Sequence, residues 1–298
     1  MHMFLAARHH AAPWRFVGRR SISVFDPHMV KDGKTDQRRF STNFLTSPYV
    51  DGITRHSEAT HIDCRHLDFL RLQLITPASP LYTASAEEAA LMAPFPDPFW
   101  GFCWPGSYAL CRFLLENPEV VRGKLVLDFA AGCGIASIVA LHVGASASIA
   151  NDIDSWACTA SLINAAANLP ASTLATSFHV YDGNLVGTPL SSVHDATMSA
   201  AHPQSTSSSS PSDWVVLAGD VCYEEPLATD VIAWLHALAA QGVHVLLGDP
   251  GRQFLPHARL HPVASYELPP SIADGNFGLS PTGAVWTLLP TSHLHKQK

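Results

Sequence analysis

Lys124 to Asp154 reads KLVLDFAAGCGIASIVALHVGASASIANDID. Leu125-Val126-Leu127 is an apolar run that stops at Asp128, and the small residues Ala130, Ala131, Gly132, Cys133 and Gly134 follow at once. An apolar stretch from Ile135 to Val143 then runs to Gly144, and Ser148-Ile149-Ala150 leads to Asn151-Asp152. A strand that is apolar on both faces belongs in a covered parallel sheet, so the spacing predicts strand, turn, helix and strand in one βαβ unit. The turn lacks side chains because a ligand has to approach its backbone, next to a helix N-terminus. The acid closing the second strand, about 20 residues past the turn, stands where a ribose hydroxyl pair is held. The stretch is therefore read as a nucleotide-cofactor site.

The spacing narrows the cofactor. A dinucleotide fingerprint closes on a third Gly or Ala, whereas Gly132-x-Gly134 is followed by Ile135, Ala136 and Ser137. An acid at the strand end followed by small-x-Gly-x-Gly resembles motif I of the class I S-adenosylmethionine (AdoMet) methyltransferases. A carboxylate at Asp128 suits a ligand with an ammonium group and would repel a pyrophosphate. The resemblance implies cofactor contacts from Asp128, Ala130, Gly132, Gly134 and Asp152. Ala130 departs from the Gly usual there, and Ala is tolerated if it keeps a negative φ.

The 298 residues are 47% hydrophobic and 14% charged, which indicates a globular chain with a sizeable core. A net charge of −7 does not suggest a nucleic-acid surface. Cys64, Cys103, Cys111, Cys133, Cys158 and Cys222 form no C-x-x-C pair, which favours reduced structural thiols. His257 and His261 have helical ligand spacing, but Pro256 and Pro262 flank them and argue against a helix, so no metal is expected. Val126 to Ala150 is long enough to mimic a membrane span, yet it holds Asp128 and His142 and changes period partway, so no membrane association is expected.

Residues 1–24 carry Arg8, Arg15, Arg19 and Arg20 and no acid, the composition of a mitochondrial transit peptide or of a plain basic leader. Residues 25–52 read as linker. A single methyltransferase domain is expected over 53–290, with a tail at 291–298. Within it Leu67–Ile75 is predicted as a strand, Ala84–Met92 as a short helix and Tyr108–Glu116 as a helix opened by Pro105-Gly106-Ser107. Further strands are predicted at Phe178–Tyr181, Asp213–Ala218, Val243–Leu247, Val263–Leu268 and Ala284–Leu289, and helices at Trp156–Asn168 and Pro226–Ala240. Residues 186–212, rich in serine, read as a low-complexity surface insertion. Alternating βα units with two closing strands give an α/β class, a doubly wound, mostly parallel seven-stranded sheet with a small N-terminal extension.

Asp128, Asp152, Asp182, Asp220 and Asp249 all fall at strand ends. Ligands bind at the carboxyl ends of parallel strands, although helix caps also favour Asp. Asp182 stands where an acid accepts an adenine amino group, or else forms a turn with Gly183-Asn184. Asp220-Val221-Cys222-Tyr223 looks like the D-x-x-Y motif of seven-stranded protein-lysine methyltransferases. Together with Ile53-Thr54-Arg55-His56, Asp97-Pro98-Phe99-Trp100, Trp104-Pro105-Gly106, Asn117-Pro118, Val121-Arg122-Gly123-Lys124, Asn151-Asp152-Ile153-Asp154 and Gly248-Asp249-Pro250-Gly251-Arg252, it resembles the electron transfer flavoprotein β-subunit lysine methyltransferase family. The resemblance spans roughly Ile53 to Pro290, excepting the insertion.

That resemblance implies methylation of a protein lysine, with the β subunit of electron transfer flavoprotein as partner and the mitochondrial matrix as location. It implies that Asp220 orients the ε-amine and that Tyr223 and Trp104 wall a lysine channel; Trp104 also has a cofactor-packing or core role open to it. Arg55, His56 and Arg252 have either substrate contact or a surface role open to them. The rival readings are another protein or small-amine acceptor, and a non-catalytic methyltransferase-like module.

Overall fold

The computed structural model describes residues 47–192, 210–273 and 280–288. In chain order the principal elements are α1 (Ser47–His56), β1 (Glu58–His61), β2 (Arg71–Leu74), α2 (Ala86–Met92), α3 (Pro105–Glu116), β3 (Leu125–Phe129), α4 (Ile135–His142), β4 (Ala147–Asn151), α5 (Ser155–Asn168), α6 (Ala171–Ser177), β5 (Phe178–Tyr181), β6 (Trp214–Gly219), α7 (Leu227–Ala240), β7 (His244–Asp249), β8 (Leu260–Glu267) and β9 (Thr282–Leu288). The expected leader (1–24), most of the expected linker, the middle of the serine-rich insertion (193–209) and the expected tail (291–298) lie outside the described residues.

Seven strands form one sheet in the order β5-β4-β3-β6-β7-β9-β8. Pairing is parallel from β5 to β7 and antiparallel where β9 joins β7 and β8. This is the expected α/β architecture. The unbroken apolar runs follow from two-sided burial: Val215 and Leu217 face one core with α3 and α4, while Trp214, Val216 and Ala218 face the other with Val231 and Leu235 of α7. The chain reverses winding between β3 and β6, which are neighbours, so their carboxyl ends open the crevice where such sheets bind ligands.

Three expectations change. The strand predicted over Leu67–Ile75 is only Arg71–Leu74, because Leu67 and Leu70 are buried in turns and had imitated strand alternation. It pairs with β1, and its exposed backbone is read by helix α5: the Asn164 and Asn168 side chains accept from Gln73 and Arg71 N–H, and Asn168 Nδ2 donates back to Arg71 O. Second, helix α1 occupies Ser47–His56, so part of the segment expected to be linker is helical. Helix α1 packs on α5 through Tyr49 against Trp156 (4.6 Å between ring centroids) and through Gly52, where a Cβ would fall 2.6 Å from the Trp156 ring. Third, the front of the serine-rich insertion is packed, with Leu190 buried and Trp234 Nε1 donating to Thr188 O at 3.1 Å. Helix α6 was not expected; its sequence, ASTLATS, has no buried residue to mark a period.

The N-terminal extension is a third apolar cluster. Ile53, Ile75, Leu81, Phe95 and Trp100 pack on Ala157 and Ala160 of α5. This cluster carries the aromatic segment, residues 94–104, across the carboxyl edge of the sheet. Opposite it, α3 lies against the ends of β6 and β7 at backbone distance. A Cβ at Gly106 would run into the Gly248 carbonyl oxygen, and one at Gly248 into the Gly106 carbonyl. Close approach of backbone to backbone is the reason both must be glycine.

Candidate active site

The turn after β3 has positive φ at Ala130 (55°), Gly132 (54°) and Gly134 (76°). Its N–H groups tie it to β4: Ala131 N–H donates to Asn151 O at 2.9 Å, and Gly132 N–H to Asp152 Oδ2 at 3.0 Å. Helix α5 holds the carbonyls, Ser161 Oγ donating to Gly132 O and Asn164 Nδ2 to Cys133 O. Ser161 also leaves no room for a side chain at Gly134, whose Cβ would stand 2.7 Å from Ser161 Oγ. Sequence reasoning missed Ser161 and Asn164, which are two among several polar residues of an alanine-rich helix.

The condition for tolerating alanine at 130, a negative φ, is not met, since its φ is 55°. An L-residue in the left-handed region costs about 1–2 kcal/mol. Ala130→Gly should therefore raise stability by about 0.5–1 kcal/mol after the extra entropy of the unfolded glycine is counted. Urea unfolding checks this, and a lowered midpoint would refute the strain.

Each strand-end acid has a definite environment. Asp128 is buried, and its Oδ2 accepts from both Ser137 N–H (2.9 Å) and Ser137 Oγ (3.0 Å) in α4. Burial pushes its pKa up to about 7, Asp152 adding to the rise and the Ser137 bonds opposing it. One Asp128 oxygen is thus committed to the helix rather than to a ligand. Asp152 Oδ1 accepts from Asp154 N–H at 3.1 Å while Oδ2 takes Gly132, and each oxygen keeps one lone pair. Asp182 has a buried Oδ1 with no hydrogen-bond partner, which a donor on a ligand would satisfy. Asp249 behaves as a turn former, its Oδ1 accepting from Gly251 and Arg252 N–H at 2.7 Å each.

Asp220 is the most heavily engaged. It follows β6 at φ 60°, in the left-handed region. Its Oδ2 accepts from Gly106 N–H (2.6 Å) and Ser107 N–H (3.3 Å) at the start of α3. Its Oδ1 accepts from Arg252 Nε (3.1 Å) and Nη2 (2.6 Å). Burial raises its pKa, and Arg252 followed by the α3 N–H groups opposes the rise. Those four donors fill a carboxylate's acceptor positions. As placed, Asp220 ties α3 and Arg252 to the sheet, and the ε-amine contact implied by resemblance has no open lone pair here.

Above it stand the aromatics. Trp104 Nε1 donates to Phe99 O at 2.7 Å, and that same carbonyl lies 3.6 Å from where a Gly132 Cβ would be. The aromatic segment therefore closes over the glycine turn. Phe99 lies 6.0 Å from both Trp104 and Tyr223 (ring centroids), and the Arg252 guanidinium lies 5.6 Å from the Trp104 centroid. Phe99, Trp104 and Tyr223 form a half-open box beside the turn, with Asp220 and Arg252 beneath. Burial pushes the Tyr223 hydroxyl pKa up, with Glu224, Asp152 and Asp97 adding to the rise.

The residues fit AdoMet. The turn presents bare backbone, Asp152 keeps lone pairs for a diol, and Asp182 Oδ1 lacks a donor. Comparisons agree. Residues 107–194 match the family model "Ribosomal protein L11 methyltransferase (PrmA)". The chain is 38% identical over 223 residues to the electron transfer flavoprotein beta subunit lysine methyltransferase of Danio rerio, covering 73% of this chain and 74% of that one. The chain belongs to the electron transfer flavoprotein β-subunit lysine methyltransferase family. It is an AdoMet-dependent protein-lysine methyltransferase. The relatives of the same name from Xenopus laevis and Homo sapiens are each 36% identical, with 80% and 74% of this chain covered and 86% and 75% of theirs. Among solved structures it is similar to a ribosomal protein L11 methylase from Lactobacillus delbrueckii subsp. bulgaricus, with 16% identity, 60% of this chain and 77% of that chain covered, and a TM-score of 0.35.

Among the described residues no group of His, Cys, Asp or Glu is arranged to hold a metal, and no helix is long and apolar enough to cross a membrane. The six cysteines are free thiols.

Burial, with Asp154 repulsion, pushes the Asp152 pKa up to about 6 against the N–H bonds from Asp154 and Gly132. Between its ordinary value and about 6 the folded protein holds more protons than the unfolded one, so this group's contribution to stability falls as pH rises through that window. Diol binding needs the ionised form, so AdoMet affinity should weaken as pH drops below about 6. Asp152→Ala should weaken AdoMet binding about 10- to 100-fold, from the loss of charge-assisted hydrogen bonds, and should remove that acid limb. Titration calorimetry at several pH values decides it; an unchanged affinity would refute the ribose role.

Proposed function

We propose that this methyltransferase acts on lysine of the β subunit of electron transfer flavoprotein, in the mitochondrial matrix. The acceptor is supported by the names of curated relatives at 36–38% identity over about three-quarters of the chain. The location is supported by the acid-free, arginine-bearing residues 1–24. The observation that carries the acceptor class is the aromatic box of Phe99, Trp104 and Tyr223 beside the glycine turn. Aromatic faces guide a long aliphatic stem and tolerate its amine as a cation on entry.

When bound, AdoMet supplies a methyl group on a sulfonium: the N–C bond forms as the S–C bond breaks, sulfur keeps that electron pair, and the methylated ammonium releases its proton to solvent. The chain's own residues align and desolvate the amine. Making a lysine neutral at pH 7 costs about 4–5 kcal/mol in water, and the box lowers this by excluding solvent. Alignment converts an encounter into an effectively unimolecular step.

The test is incubation of the protein and that subunit with labelled AdoMet, followed by mass spectrometry of the subunit. Methylated lysine is expected. A folded, AdoMet-binding enzyme that labels none would overturn the acceptor.

A further inference from the structure

Arg252 is not used by the chemistry above, yet it is built into the site. Its side chain and that of Asp220 are 9% and 7% exposed, and Arg252 Nη2 and Nε both donate to Asp220 Oδ1, at 2.6 and 3.1 Å. Asp249 fixes the Arg252 backbone from the end of β7, and Trp104 covers the guanidinium. The pair lies under the aromatic box, between the α3 start and Tyr223. We propose that Arg252 is a positioning residue for methyl transfer: by neutralising Asp220 it keeps the acceptor amine from being held as an unreactive ammonium ion. The inference rests on the lysine-acceptor reading.

The physical reason is the requirement of the reaction. Only the neutral amine has a lone pair for the methyl carbon. A bare carboxylate beside the amine favours the ammonium and raises its pKa by about 1–3 units. A guanidinium locked on that carboxylate cancels the effect, and being permanently charged it does so at every working pH. The other ionisable groups are common to any comparison. Cys103 precedes α3, and Cys222, Tyr223, Glu224 and Glu225 follow β6; Asp97 comes from the aromatic segment, Asp152 from β4 and Asp249 from β7. Burial keeps the two thiols and the phenol protonated through the range where the amine titrates; burial also raises the Asp220 pKa, which Arg252 first and the α3 N–H groups after it oppose.

The readout is the acid limb of kcat against pH, with the flavoprotein β subunit as acceptor and AdoMet saturating. Removing one charge of the pair should move the limb with opposite sign for the two partners. Arg252→Gln should shift it about one pH unit upward. Asp220→Asn, which strands the cation, should shift it about one unit downward. The double variant Asp220→Asn with Arg252→Gln should return to the wild-type position. Either single variant carries the test if the other does not fold. A purely structural pair would lower the rate at every pH and leave the limb in place, which overturns the inference while the acceptor reading stands. Wild-type protein that transfers no methyl to the subunit overturns the reading itself.

Discussion

Gly106→Ala is expected to detach the start of α3 from the sheet. The added Cβ would run into the Gly248 carbonyl oxygen and stand 2.6 Å from Asp220 Oδ2. Overpacking usually costs about 1–3 kcal/mol, when side chains can yield. Here the obstacle is backbone on β7, itself hydrogen-bonded through Gly248 O to Asp220 N–H at 2.9 Å. Moving α3 away also loses the Gly106 N–H bond to Asp220, a charge-assisted bond worth about 1.5–3 kcal/mol. The sum is about 4 kcal/mol, a large share of the 5–15 kcal/mol a domain has in hand. Chemical denaturation reads it directly. A wild-type midpoint would show that α3 can shift freely and that the contact is not a constraint.

Asp220→Ala is the second large effect. It strands the buried Arg252 guanidinium and the first N–H groups of α3 together. Removing one partner of a buried ion pair costs about 3–5 kcal/mol, because the remaining charge is left without compensation. Turnover should fall about 100-fold or more, since Trp104 both covers Arg252 and immediately precedes α3. AdoMet affinity should change less than about threefold, because Asp152 and Asp182, the acids expected at the cofactor, follow other strands, β4 and β5. Calorimetry separates the two readouts. Equal losses of affinity and turnover would make Asp220 part of the cofactor site, and full stability would show the pair to be dispensable.

The contrast between these two positions shows how far local sequence carries. Motif I could be read because every requirement sits within one βαβ unit: a strand, a turn without side chains, and an acid closing the next strand. Its Ala130 could not be read correctly. Whether that residue turns left-handed depends on how β4 and α5 grip the turn through Asn151, Asp152, Ser161 and Asn164. The D-x-x-Y run was visible too, but not that Asp220 spends its oxygens on α3 and Arg252. Those partners lie 114 and 32 residues away along the chain.

The aromatic segment makes the same point. Residues 94–104 read PFPDPFWGFCW, and nothing in that order indicates where the rings lie. Packing of the N-terminal cluster on α5 carries Phe99 over the glycine turn and turns Trp100 inward. The length of the β2 strand was misjudged for a related cause, since buried turn leucines and strand leucines look alike in sequence.

By itself the sequence determined the α/β class, the methyl donor and the family, because apolar runs, side-chain-free turns and strand-end acids are short-range signals of what the backbone must do. Only the tertiary structure decided which acids remain open to a ligand and which are spent on holding the site together. A carboxylate's role depends on which donors reach it, and those donors arrive from distant segments through the close backbone packing of α3, β6 and β7.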